Sequence, residues 1–167
     1  GLGTSLTILV ATVIMVTQPP TLKMGPDLGG TTETVRLKGG ESWLVYRERD
    51  GQIDTLTQDA TAYPGDRLRF ELRGFEDGHI AVFGAEASGK LYPIYPLVLG
   101  NSVPHRSRRQ GPLPGAISLD ASLGHEWLYL VHCPQSFSVS DLRVAGPTTS
   151  APADCEVISL ALNKVME

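Results

Sequence analysis

Cysteine is almost missing from this chain of 167 residues: there are two, Cys133 and Cys155, and no Cys-x-x-Cys spacing. Two thiolates cannot make a structural zinc site on their own. A basic excess is missing as well, with 14 Lys and Arg against 18 Asp and Glu and a formal net charge of −4. That argues against nucleic-acid binding by counterion release, which needs a dominant basic face. The chain has no Gly-x-Gly-x-x-Gly and no phosphate-loop pattern, since nothing upstream of Gly89-Lys90 completes such a loop. A Gly-x-Ser-x-Gly nucleophile elbow is also absent. After the N-terminal segment no amphipathic period reaches the length of an ordinary helix, about 11 residues, which disfavours an α/β enzyme fold.

Charge is absent from Leu2 to Val16, "LGTSLTILVATVIMV", and the first charged residue is Lys23. A membrane helix needs about 20 apolar residues. This run is slightly short, but the chain opens on Gly and reads as a cut fragment. The expectation is a membrane-spanning helix over residues 1–17, anchored through residues 2–16 and truncated at its start. A signal peptide, which would show a basic start and a clear cleavage site, and a buried strand or helix are the competing readings. Residues 18–40 are rich in Pro, Gly and Thr, a linker composition in which only "TETVRLK" alternates like a strand.

From residue 41 to 167 the pattern is one of short apolar runs between turn signals. Apolar residues form 41% of the chain, enough for a core, and the 18 Gly and 12 Pro suit a turn-rich β protein. "SWLVYRER" runs into Asp50-Gly51, a hairpin dipeptide. "RLRFELR" sets Leu68, Phe70 and Leu72 on one face against charges on the other. "HIAVFGA" and "LYPIYPL" form a hairpin turned at Ser88-Gly89, its second strand ending at the Tyr-Pro steps. "GAISLD" and "EWLYLVHC" follow, the latter apolar enough to be central. "SVSDL" reads as one helical turn capped by Ser138 or Ser140, and "CEVISLALNKV" closes the fold. Seven to nine short antiparallel strands of this kind predict an all-β, immunoglobulin-like sandwich.

Few residues point to chemistry. Outside the cytoplasm Cys133 and Cys155 would form one disulfide, contributing roughly 3 kcal/mol; the alternative is two separate buried thiols, since pairing needs a geometry that sequence does not supply. His79 and His132 fall in strands and His105 and His125 in loops, none at metal-pair spacing. A site from His79, His132 and Cys133 is disfavoured, because adjacent strand residues face opposite ways, and the same geometry disfavours a Cys133 nucleophile. Arg106, Arg108 and Arg109 in "HRSRRQ" are the only concentrated positive charge: a contact for an acidic partner, a glycan or lipid headgroups, or a solvated loop. Trp43, Tyr46, Tyr92, Tyr95, Trp127 and Tyr129 are candidates for core or rim. No cofactor is expected.

The series "YPGDRLRFELRGFEDGHIAVFGAEASGKLYPIYP" with "LPGAISLDASLGHEWLYLVHCPQSFSVSDL" resembles a bacterial domain family of unknown function. The matching residues are Gly65, Asp66, Leu68 and Phe70, then Asp77 and Gly78, then Tyr92, Pro93, Tyr95 and Pro96. Pro114 and Gly115, and Cys133 and Pro134, complete the pattern over residues 42–165. These are turn and core residues. The resemblance implies an extracytoplasmic β-sandwich C-terminal to a single inner-membrane span, in proteins whose N-terminal part is similar to an anti-sigma factor. On that basis the expected role is a non-catalytic periplasmic sensor or protein-interaction module, with an envelope protein or ligand as partner. The alternative is an accessory domain of a cell-envelope protease or kinase-type protein, or a weak hydrolase using Asp66, Asp77 or His79.

Overall fold

The structure, a computed structural model, describes residues 40–146 and 148–167. The expected membrane span, nearly all of the linker and the "TETVRLK" strand lie outside the described residues. Among the described residues no helix is long and apolar enough to cross a membrane.

The described chain is all-β. Its strands in order are β1 (Ser42–Arg49), β2 (Gln52–Thr55), β3 (Ala60–Ala62), β4 (Arg67–Arg73), β5 (Gly78–Ala85), β6 (Leu91–Tyr95), β7 (Val103–His105), β8 (Gly111–Pro112), β9 (Ile117–Ser118), β10 (Gly124–Cys133), β11 (Arg143–Ala145), β12 (Thr148–Ser150) and β13 (Glu156–Lys164). One sheet has the order β2-β1-β4-β8, with β9 also on β4; the other has β3-β13-β10-β5-β6, with β7 also on β5. Strands β11 and β12 form a separate hairpin. More strands are present than the seven to nine expected, because pieces of two or three residues carry no period to read. One pair, β3 with β13, is parallel rather than antiparallel.

The sheets share a core. Trp43, Val45, Leu68, Phe70 and Leu72 of the first meet Ile80, Val82, Leu128, Leu130 and Leu160 of the second. The alternation in β4 does what its pattern requires, burying Leu68, Phe70 and Leu72 and exposing Arg67, Arg69 and Arg73. In the second sheet the other face is buried too. There Ala81, Phe83, Tyr129 and Val131 lie under Val139 and Leu142, from the segment between β10 and β13. Cover on both faces explains the unbroken apolar run of β10. The Tyr129 hydroxyl donates to the Gly146 carbonyl, so the one polar atom of that buried ring is satisfied within the covering flap. Cys133 and Cys155 are joined by a disulfide, closing this flap at its two ends. Of the two alternatives for the cysteines, the bonded one is found.

Local geometry follows turn chemistry, with corrections. Asp50 and Gly51 both take positive φ, 49° and 76°, as a two-residue hairpin turn requires. The first Tyr-Pro step does not end β6: Pro93 sits inside it, opposite Phe83. Because β6 is a sheet edge, its missing N–H breaks no ladder bond. The strand ends at the second step, Tyr95-Pro96, which is cis. "GAISLD" supplies only the two residues of β9. "SVSDL" is a 3-10 turn over Val139–Asp141, and Ser138 stands at its N-cap without capping it. The Ser138 hydroxyl bonds that of Ser140 instead, at 2.8 Å.

Candidate functional site

The inward row of β5 reads Gly78, Ile80, Val82, Gly84, and a ring from a neighbouring strand crosses each glycine. At Gly84 the ring is Tyr92, its register partner on β6. A Cβ on Gly84 would lie 2.0 Å from Tyr92 Cζ. Lying flat across the glycine, the Tyr92 phenol reaches β10 and donates to Glu126 Oε1. Glu126 is buried, and its Oε2 is 2.6 Å from Lys164 Nζ at the end of β13. Lys164, 2% exposed, also donates to Asp120 Oδ1 at 2.6 Å and Ser122 Oγ at 3.3 Å. Three acceptors thus meet the three N–H groups of one buried ammonium.

This network forms the base of a cleft of ≈ 390 Å³ between the start of β6 and the segment through β9. Tyr92, Ile117 and Leu119 supply an apolar wall, and Glu86, Lys90 and Asp120 stand around it. Glu86 and Lys90 are 3.4 Å apart across the β5–β6 turn. Burial alone would lower the Lys164 pKa, but its bonds to Asp120 and Glu126 outweigh that and hold it above the ordinary lysine value. The bond from Lys164, then those from Ser122, bring Asp120 down to about 2. Burial, then the Glu126 charge, push the Tyr92 phenol far up. Lys164 stays an ammonium and Tyr92 a phenol, so neither is activated as a base or nucleophile. Fixed opposite charges beside an apolar wall suit recognition of a polar group on an apolar stem.

At the other glycine, Gly78, a Cβ would lie 2.6 Å from His132 Nε2 and 2.5 Å from the Cys133 carbonyl. His105, the register partner of Gly78, sits beside it. The His105 and His132 ring centroids are 6.3 Å apart, each edge-on to Phe75. Burial lowers both pKa values, and neither Nε2 has a hydrogen-bond partner among the described residues. The loop positions expected for His105 and His125 are therefore corrected. His105 ends β7 and is 5% exposed; His125 lies in β10 and stacks on Trp127. His132 faces Phe75 while Cys133 belongs to the opposite face and is disulfide-bonded, so this sulfur is neither free thiolate nor ligand.

The arginine loop is exposed but is not one cluster. Arg106 pairs with Asp77 at 3.1 Å, whereas Arg108 and Arg109 have no ion-pair partner among the described residues. Asp77 also accepts from the Ser107 N–H at 2.8 Å and hydroxyl at 2.9 Å, and the N–H bond first of all brings it down to about 2. Asp66, fully buried, accepts from the Tyr63 N–H and lies 2.8 Å from Arg49 Nε. Both aspartates therefore anchor turns, and His79 is the register partner of Cys133. Of the six aromatics singled out, Trp43 and Tyr129 are core, and Tyr46, Tyr92, Tyr95 and Trp127 are half-buried.

Lys164, Glu126 and Asp120 carry no recognisable motif. A strand-parity signal was available: Lys164 continues the inward row Ile158, Leu160, Leu162, and Glu126 the row Leu130, Leu128. Opposite charges ending two adjacent inward rows mark a buried pair. Comparison with family models, with curated proteins and with solved structures yields no match in any of the three.

Proposed function

We propose that this chain is a non-catalytic, extracytoplasmic interaction module of a membrane-anchored regulatory protein of the anti-sigma-factor-like kind, recognising its partner at the Tyr92–Glu126–Lys164 cleft. The observation that carries the proposal is the saturated charge network under an open apolar cleft. Buried ionic groups with every partner satisfied are rigid, and a rigid charged wall selects among ligands. Among the charged residues lining or underlying the cleft, Glu86, Asp120 and Glu126 outnumber Lys90 and Lys164. The fitting partner is an extended segment presenting a Lys or Arg, its stem against Ile117, Leu119 and Tyr92 and its head beside Asp120 and Glu86.

The disulfide supports an oxidising compartment, and the charge-free run at residues 2–16 supports an anchor. The immunoglobulin-like assignment is supported by strand order: β13-β10-β5-β6 matches G-F-C-C′, and β1-β4-β8 matches A-B-E. The hydrolase alternative loses support because Asp66 and Asp77 are committed to backbone bonds.

The test is titration of the full chain with extended peptides carrying a central Arg, Lys or norleucine, followed by NMR shift perturbation. Perturbations at Tyr92, Ile117 and Glu86, with affinity falling about tenfold for norleucine or for Asp120→Asn, are expected for one lost charged contact. Equal affinity for norleucine would sink the assignment.

A further inference from the structure

Three consecutive apolar residues stand in solvent on the side of the second sheet away from β10. Leu97, Val98 and Leu99 are 70%, 75% and 40% exposed. Scattered exposed apolar residues are ordinary, but a contiguous run on an ordered loop is not. Backbone bonds hold this loop to the flap: Val139 N–H to the Gly100 carbonyl at 2.9 Å, and Ser102 N–H to the Phe137 carbonyl at 2.8 Å. The Ser102 hydroxyl accepts from the Phe137 N–H at 2.9 Å. These bonds fix the C-terminal end of the loop, at Gly100 and Ser102, beside the three exposed side chains.

Its neighbourhood supplies the second half of a footprint. Strands β6 and β7 both pair with β5, at Val82–Ala85 and at Gly78–Ile80, so they lie end to end along one edge. The apolar loop leaves that edge between them. The next loop to leave it, at residues 106–110, carries the arginines. Asp77, the carboxylate in that loop's contacts, is taken up by Arg106 and Ser107, which leaves Arg108 and Arg109 without an ion-pair partner among the described residues. Positive charge here is local, since the chain as a whole carries −4.

We propose that this edge is a membrane-contacting surface. Leu97, Val98 and Leu99 enter the headgroup–acyl boundary of a bilayer, and Arg108 and Arg109 engage anionic headgroups. Apolar side chains at a projecting tip with unpaired cations on the same edge match a surface that is anionic outside and apolar beneath. Neither signal suffices alone, because interfacial anchoring takes two. The proposal uses a surface separate from the cleft, and either can fail without the other.

The test places a reporter in the loop of the full chain by Val98→Trp, so that the emission reports the surroundings of the loop itself and not those of residues 2–16. The protein is mixed with vesicles of phosphatidylglycerol and phosphatidylcholine whose acyl chains are brominated, and the unsubstituted chain is the blank for Trp43 and Trp127. Blue-shifted emission quenched by the brominated chains is the expected result. In Arg108→Gln/Arg109→Gln, the ratio of inserted to free loop read from the quenching should fall roughly 30-fold, at about fivefold per charge. Absence of quenching overturns the proposal. A blue shift without quenching also overturns it, placing the loop against another copy of the chain. Equal quenching by purely neutral vesicles removes the arginines from the footprint and overturns it as stated.

Discussion

Replacing Gly84 with alanine adds one methyl group and should dismantle the base of the cleft. The new Cβ would sit 2.0 Å from Tyr92 Cζ and 2.3 Å from its oxygen, so the ring must leave the strand. Overpacking at such a site costs about 1–3 kcal/mol. Glu126 Oε1 then loses its donor while still buried, costing about 1–3 kcal/mol more. Alanine recovers only about 0.5–1 kcal/mol over glycine within a strand. The net loss is about 1–5 kcal/mol, a fall in Tm of roughly 4–20 °C for a domain of this size. Thermal and urea unfolding of Gly84→Ala would measure it, and a double-mutant cycle with Tyr92→Ala identifies the cause. With the ring removed the methyl has space, so Gly84→Ala should be neutral or slightly stabilising in that background. An equal loss in both backgrounds, with coupling below about 0.5 kcal/mol, would refute the close-approach explanation.

Two further outcomes follow from the fold. His105 and His132 are held below the ordinary histidine pKa, so the unfolded chain binds more protons as pH falls through about 6.5. The stability contributed by the neutral pair is complete above that value and lost beneath it, levelling off once the folded-state values are passed. Nearby Glu41, Glu76 and Asp77 oppose the shift, whereas His79 and the mutual repulsion of the two rings reinforce it. The slope is at most about 2.7 kcal/mol per pH unit for two sites, and His105→Gln/His132→Gln should flatten it. Identical pH profiles of urea midpoints would contradict this. Cys133→Ala/Cys155→Ala should lose about 3 kcal/mol for a separation of 22 residues, and reduction should lower the parent to the same level; a parent indifferent to reductant would contradict it.

The strands of five residues or more were all legible, because alternation in β4 and β13 and turn dipeptides at Asp50-Gly51 and Ser88-Gly89 are local signals. The two- and three-residue strands were not, since pairing β8 and β9 with β4 or β3 with β13 is decided by tertiary contacts. Proline misled at Pro93, where the cost of a missing donor depends on whether the strand is an edge. His105 read as a loop residue because "VPH" is too short to show a period, yet Phe75 and Gly78 create a buried slot for it. The cleft residues come from β5, β6, β10, β13 and the segment through β9, and no linear motif can span them. Gly84 was the visible trace, since glycine inside an apolar strand often means that something passes close by.

The disulfide has a consequence for how the chain can be assembled. Cys133 and Cys155 lie one rung beyond the His132–Glu156 pairing of β10 and β13, with Cα atoms 4.3 Å apart. A slip of one residue between these strands would turn Ile158, Leu160 and Leu162 outward and carry the sulfurs off their common rung. Oxidation therefore acts as a proofreading step: the bond closes only on the chain whose two longest strands are correctly aligned, and it then makes that alignment permanent.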